Sequence, residues 1–171
     1  MDTTPSATIR ERLGWSITTE QYERIRRLWV RHSIAEDRRD IPGLLATLAP
    51  SCAYEIQPTG ERWEGHPGAT TFYETLFAAF PDVHFDLQEI VIGPQGVIEV
   101  VALRGTHSGP WAGIPATGRA VSFIAIIQFP WNPAAQLFDG ERVWFDRGAL
   151  GVPLPEPGTR EGTLSSPGSG G

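Results

Sequence analysis

The sequence predicts an α+β domain in which helices lead and a bent, mostly antiparallel sheet follows. Three observations predict it. Apolar residues recur at helical spacing up to Pro81 and at alternate positions after it. Helices then strands is an α+β order, unlike the alternation of a doubly wound parallel sheet. Strand residues such as Ile124, Ala125, Ile126 and Ile127 are apolar on both faces, so helices must cover one face and the other must be packed or enclosed. A sheet curved around a pocket meets that demand.

Each element has a local cause. Thr18 and Gln21 form a capping-box pattern that opens a helix, with Tyr22, Ile25, Leu28, Trp29 and His32 on its apolar side. Asp40 before Pro42 reads as the N-cap of a short helix through Leu44, Leu45 and Leu48, stopped by Pro50. A third helix begins near Pro67, carries Phe72, Tyr73, Leu76, Phe77 and Phe80, and ends at Pro81. Strands are expected over 52–57, 83–92, 97–107, 120–129 and 137–145, with turns at Gly93-Pro94-Gln95-Gly96 and Asn132-Pro133. The domain is expected over 16–150, after a flexible N-terminus at 1–15. Residues 151–171 read as a disordered tail rich in Pro, Gly and Ser.

Composition narrows the chemistry. The formal net charge of −6 gives no electrostatic attraction to nucleic acid or to an anionic membrane, so neither is an expected partner. All 14 cations are Arg, and without Lys the chain cannot run Schiff-base, pyridoxal-phosphate or Walker-A chemistry. A single cysteine, Cys52, excludes an internal disulfide and a multi-cysteine zinc site; in its apolar run it reads as a buried, inert thiol. The four His show no ligand spacing and no phosphate-binding glycine loop occurs, so neither a metal nor a cofactor is expected. No signal peptide or membrane-length apolar run is visible, and a cytoplasmic location is the expectation.

Polar groups within apolar strands mark the candidate site, because burying them is costly unless they are paired or used. Strand alternation sets Val97, Glu99, Val101, Leu103, Gly105 and His107 on one face. It groups Leu137, Asp139, Glu141, Val143 and Phe145 on another. His107 and Glu141 are therefore the expected acid/base pair, converging on one cavity. The alternative is that His107 caps a turn and Glu141 pairs with Arg104 or Arg142 on the rim. Tyr54 could hold a substrate oxygen, and Asp146 could serve the site or cap a turn. Trp63, Trp111, Phe123 and Trp144 are candidate wall residues. His32 and His84 read as structural, His66 as a helix entrance, and Glu36-Asp37-Arg38-Arg39-Asp40 as a solvated charge run.

The segment Gly105-Thr106-His107-Ser108-Gly109, followed by Gly113-Ile114-Pro115-Ala116-Thr117-Gly118-Arg119, resembles the G-x-H-x-G … G-[IM]-P-x-T-x-R pattern of SnoaL-like polyketide cyclases. Gly60 and Gly65, the run Ala79-Phe80-Pro81-Asp82, and Glu141-Arg142-Val143-Trp144-Phe145-Asp146 extend the resemblance over about residues 20–150. It implies a nuclear-transport-factor-two-like conical barrel, cofactor-free and homodimeric. The aldol-type cyclases of this group use an Asp in the strand after the G-x-H-x-G segment, yet no acid stands between His107 and Asp139 here. The resemblance is nearer the pyran-forming branch, which opens an epoxide with an internal hydroxyl; its His and acid would fall on His107 and Glu141.

The expected function is thus a cofactor-independent cyclase or isomerase acting on a small, largely apolar secondary metabolite. Epoxide hydrolysis on the same fold and a non-catalytic small-molecule binding or dimerisation domain are the alternatives.

Overall fold

The computed structural model describes residues 7–151, and three of its four helices start where the sequence supplies side-chain caps. Thr8 caps α1, Ile9–Leu13, through a reciprocal capping box with Glu11; none of its residues is buried. Thr18 accepts from the Gln21 N–H and opens α2, Thr19–Asp37, which buries Ile25, Leu28, His32 and Ala35 along one stripe. Asp40 accepts from the Gly43 N–H at the start of α3, Ile41–Leu45. The fourth helix, α4 (Gly65–Ala79), buries Ala69, Phe72, Tyr73, Leu76 and Ala79. The disordered tail expected over 151–171 lies, after Gly151, outside the described residues.

Six strands follow or intervene: β1, Leu48–Ile56; β2, Glu61–Glu64; β3, His84–Gly93; β4, Gly96–Thr106; β5, Ala120–Asn132; and β6, Leu137–Phe145. They form one sheet in the order β2-β1-β6-β5-β4-β3. Neighbours pair antiparallel except β1 with β6, which are parallel. The architecture is α+β as expected, but the sheet is not closed: β2 and β3 remain edges. Its concave face packs on α2 and α4, and the core lies between them.

Three boundaries differ from expectation. Pro50 does not stop a helix; it lies inside β1, where the pairing with β6 breaks register between Leu48 and Ala53, so its missing N–H costs no ladder bond. The short strand β2, pairing only with residues 53–56, lacked any clear alternation to announce it. The alternation expected for β6 is also broken. Between Gln128/Arg142 and Trp131/Phe138 the β5–β6 register slips by one residue, a bulge that includes Gly140 at φ 103°. The slip turns Phe138 and Glu141 both inward, three residues apart, while Asp139 bonds the Asn132 amide instead.

Candidate active site

Between the sheet and the helices, five polar side chains, four from separate elements and one from a turn, meet in one buried chain of hydrogen bonds. Glu141 of β6 is 2 % exposed, and its Oε1 lies 2.9 Å from His32 Nε2 and 2.6 Å from the Tyr73 hydroxyl, which donates to it. Tyr54 of β1 lies 2.9 Å from the Tyr73 oxygen, so its own proton completes that contact. On the far side of the imidazole, His32 Nδ1 lies 2.6 Å from the hydroxyl of Thr47, between α3 and β1. Oε2 of Glu141 carries none of these bonds. The His32 ring is wedged edge-on against Phe129 and Phe138, with centroids at 5.3 and 6.3 Å.

Glu141 also faces a narrow cavity of about 20 Å³. Phe72 and Leu76 of α4, Phe85 of β3, Leu103 of β4, Trp111, three residues of β5 (Phe123, Ala125, Ile127), and Val143 and Phe145 of β6 form its apolar wall. The other polar group facing it is Glu36, one turn beyond His32 on α2 and therefore on the same helix face. Burial first, then the charges of Glu141, Glu99 and Asp37, hold the Glu36 carboxyl well above the ordinary carboxylate range. It therefore holds its proton more tightly than an ordinary carboxyl does. Glu99 of β4, 6 % exposed, accepts from Trp29 Nε1 at 2.9 Å; burial and then Glu141 push it up to about 8. Burial and the Glu141 charge keep both phenols protonated far past the usual tyrosine range.

The residues read from the sequence divide clearly. Glu141 faces the cavity, and Trp111 and Phe123 are part of its wall. Tyr54 reaches it through Tyr73. Trp63 stands behind Phe72, with ring centroids 5.4 Å apart. Trp144 lies on the outer face of the sheet, 38 % exposed, and Asp146 caps the 3₁₀ turn Arg147–Leu150 by accepting from the Gly148 N–H. Among the described residues Glu141 has no arginine: Arg142 faces Glu55 at 3.5 Å and Arg104 faces Asp86 at 3.8 Å.

The expected pairing of His107 with Glu141 is not the one found; the histidine on Glu141 is His32. His107 is fully buried, stacked on Phe80 at 5.3 Å, with Nδ1 3.2 Å from the Thr117 hydroxyl and Nε2 unpartnered among the described residues. It is absent from the cavity wall, one aromatic layer behind Trp111 and Phe123, both of which touch Phe80. Burial lowers its proton affinity. The physical reason for the difference is α2, whose buried stripe brings the His32 side chain to Glu141.

Sequence reasoning missed four contributors, of which Thr47, in a turn, carried no signal at all. His32 was visible as a polar residue on an apolar helix stripe, and Glu36 as its i+4 neighbour within a charge run. Tyr73 carried no signal beyond its place on the apolar face of α4. Among the described residues, no group of three or more His, Cys, Asp or Glu is arranged to hold a metal, and no helix is long and apolar enough to cross a membrane.

Comparison with known proteins bears on this arrangement. The family model for SnoaL-like polyketide cyclase matches residues 21–133. A protein of Jannaschia sp. CCS1, described as a SnoaL-like polyketide cyclase, superposes with TM-score 0.68 at 18% identity, over 82% of this chain and 100% of its own. IdmH of Streptomyces antibioticus, described as a polyketide cyclase, gives 0.59 at 19% identity, over 74% and 94%. An NTF2-like protein of unknown function from Burkholderia pseudomallei K96243 gives 0.61 at 16% identity, over 75% and 98%. At such identities these structures establish the fold alone. No curated protein sequence matches the chain.

Proposed function

The chain belongs to the SnoaL-like polyketide cyclase family, and from that premise we propose a cofactor-independent acid/base cyclase or isomerase of a small, largely apolar secondary metabolite, with Glu141 as base and Glu36 as acid. One observation carries the reading. Two carboxyl groups face one aromatic-walled cavity in opposite electrostatic settings. Glu141 is held from behind by His32 and Tyr73, whereas Glu36 has burial and like charges around it, which keep its proton on.

With a hydroxy-epoxide, Glu141 Oε2 takes the proton of the attacking hydroxyl as its oxygen bonds to the epoxide carbon. The epoxide C–O bond breaks, and its oxygen takes the Glu36 proton. One proton leaves Glu36 and one arrives at Glu141, and exchange with solvent resets both. With an enolisable ketone, Glu141 removes the α-proton while Glu36 hydrogen-bonds the forming enolate oxygen. His107 enters this reading as support for the Phe80–Trp111 wall, not as the acid.

Four exposed apolar residues on the outer sheet face, Ile98, Ile124, Ile126 and Trp144, support a homodimer through that face. The sole cysteine is free and buried, in keeping with a cytoplasmic protein.

The test is incubation with an aromatic hydroxy-epoxide and, separately, with an aromatic ketone in D₂O. Cyclic ether formation identifies epoxide opening, and α-deuteration identifies enolisation. A diol from the epoxide reassigns the chain as a hydrolase, and saturable binding with no product reassigns it as a binding domain.

A further inference from the structure

Thr47 stands at a junction that leaves its hydroxyl no freedom. It is fully buried between α3 and β1. Its N–H donates to the Leu44 carbonyl at 2.9 Å, and its own carbonyl accepts from Phe138 N–H at 3.0 Å. Its Oγ1 is 2.6 Å from that same Leu44 oxygen and 2.6 Å from His32 Nδ1. Two oxygens at 2.6 Å need a proton between them, and a carbonyl has none, so the Thr47 hydroxyl donates to Leu44. Thr47 Oγ1 must then accept from Nδ1, and Nδ1 must carry a proton.

That assignment fixes the other side of the ring. With Nδ1–H spoken for, Nε2 meets Glu141 Oε1 either as a bare acceptor facing a protonated carboxyl or as N–H facing a carboxylate. Nε2 also lies 2.9 Å from the Tyr73 oxygen. With the Tyr73 proton on Oε1 and the Tyr54 proton on Tyr73, that oxygen adds a second acceptor for an Nε2–H but no further proton. One proton is therefore shared between Nε2 and Oε1.

We infer that Thr47 is a positioning residue for the reaction: by holding the His32 proton on Nδ1 it commits Nε2 to Glu141, so that the imidazole takes the carboxyl proton and frees Glu141 as a base. The inference rests on the reading of Glu141 as that base. The ionisable groups around the pair are Tyr73 on α4, Tyr54 on β1, Glu36 on α2 and Glu99 on β4; Phe129 and Phe138 supply only apolar edges. Among the described residues, His32 is the basic side chain that meets Glu141.

The test uses full-length protein labelled with ¹⁵N-histidine, with His32 assigned through His32→Gln and followed from pH about 5 to about 9. The wild type and Thr47→Ser, which keeps the hydroxyl, are expected to hold Nδ1 protonated throughout. Thr47→Val, isosteric but without the hydroxyl, is expected to lose that fixed proton. The acid limb of turnover should then move up by about one pH unit, roughly a tenfold loss below it with KM unchanged. A bare Nδ1 in the wild type at neutral pH overturns the inference even if Thr47→Val does not fold. So does a Thr47→Val variant with the wild-type ring spectrum and pH profile. A fixed Nδ1 proton alongside undiminished turnover of Glu141→Gln would instead fail the functional reading and leave the Thr47–His32 lock standing.

Discussion

His32 Nε2 and Glu141 Oε1 lie 2.9 Å apart, one on the first long helix and one on the last strand, and both side chains are closed to solvent. The contact joins α2 to the bulged strand β6 and makes a carboxylate tolerable at the wall of an apolar cavity. Glu36, which lines the same cavity, has no such support among the described residues. This asymmetry separates base from acid.

Glu36→Gln should retain a hydrogen-bond donor yet have no proton to transfer. Epoxide opening should fall by roughly 10²–10⁴-fold. In the wild type, turnover should decline as pH rises through the raised Glu36 pKa, because the acid is then spent. The variant should lack that basic limb, and a pH–rate profile in which it persists would remove Glu36 from the acid role.

Glu99 makes a prediction about stability. Its carboxyl titrates near 8 in the folded protein against a usual 4.5, so the folded state holds the proton more tightly than the unfolded chain. Its contribution is full below about pH 4.5 and is lost as pH rises through about 8, at most about 5 kcal/mol. Glu99→Gln keeps an acceptor for Trp29 and should flatten the fall of Tm between pH about 5 and about 8. Parallel Tm curves for variant and wild type would contradict this.

Gly140 tests the bulge that aims Glu141. At φ 103°, a Cβ on this residue would collide with the Ala53 carbonyl of the neighbouring parallel strand. Gly140→Ala should therefore cost about 3 kcal/mol or more by denaturant unfolding, and any folded fraction should turn over slowly. A loss below about 1 kcal/mol would mean that the β1–β6 pairing there is soft.

The outer sheet face tests assembly. Ile124 and Ile126, 52% and 44% exposed, sit near the middle of its apolar patch. Light scattering should give twice 18.7 kDa for the wild type and a monomer for Ile126→Glu, with the circular dichroism spectrum unchanged. A wild-type monomer at micromolar concentration would discard the dimer.

Much of this fold was legible because local signals agreed. Thr18 and Asp40 mark helix starts that the backbone uses, and alternation locates β3 to β6 within a few residues. The site was half legible. Glu141 stood out as an acid in an apolar strand, and Tyr54, Trp111 and Phe123 as its surroundings. The choice of histidine was not legible, since it depends on a side-chain contact between α2 and β6, residues 109 positions apart. A two-residue period also cannot foresee the bulge that puts Phe138 and Glu141 on one face.

The central claim is that Glu141 takes the proton in the reaction. Single-turnover rates of wild type and Glu141→Gln on the probe that the wild type converts, with binding followed by tryptophan fluorescence, test it most directly. The amide should leave Kd within about threefold and slow conversion by roughly 10²–10⁴-fold at neutral pH. Conversion by Glu141→Gln at the wild-type rate would contradict the account.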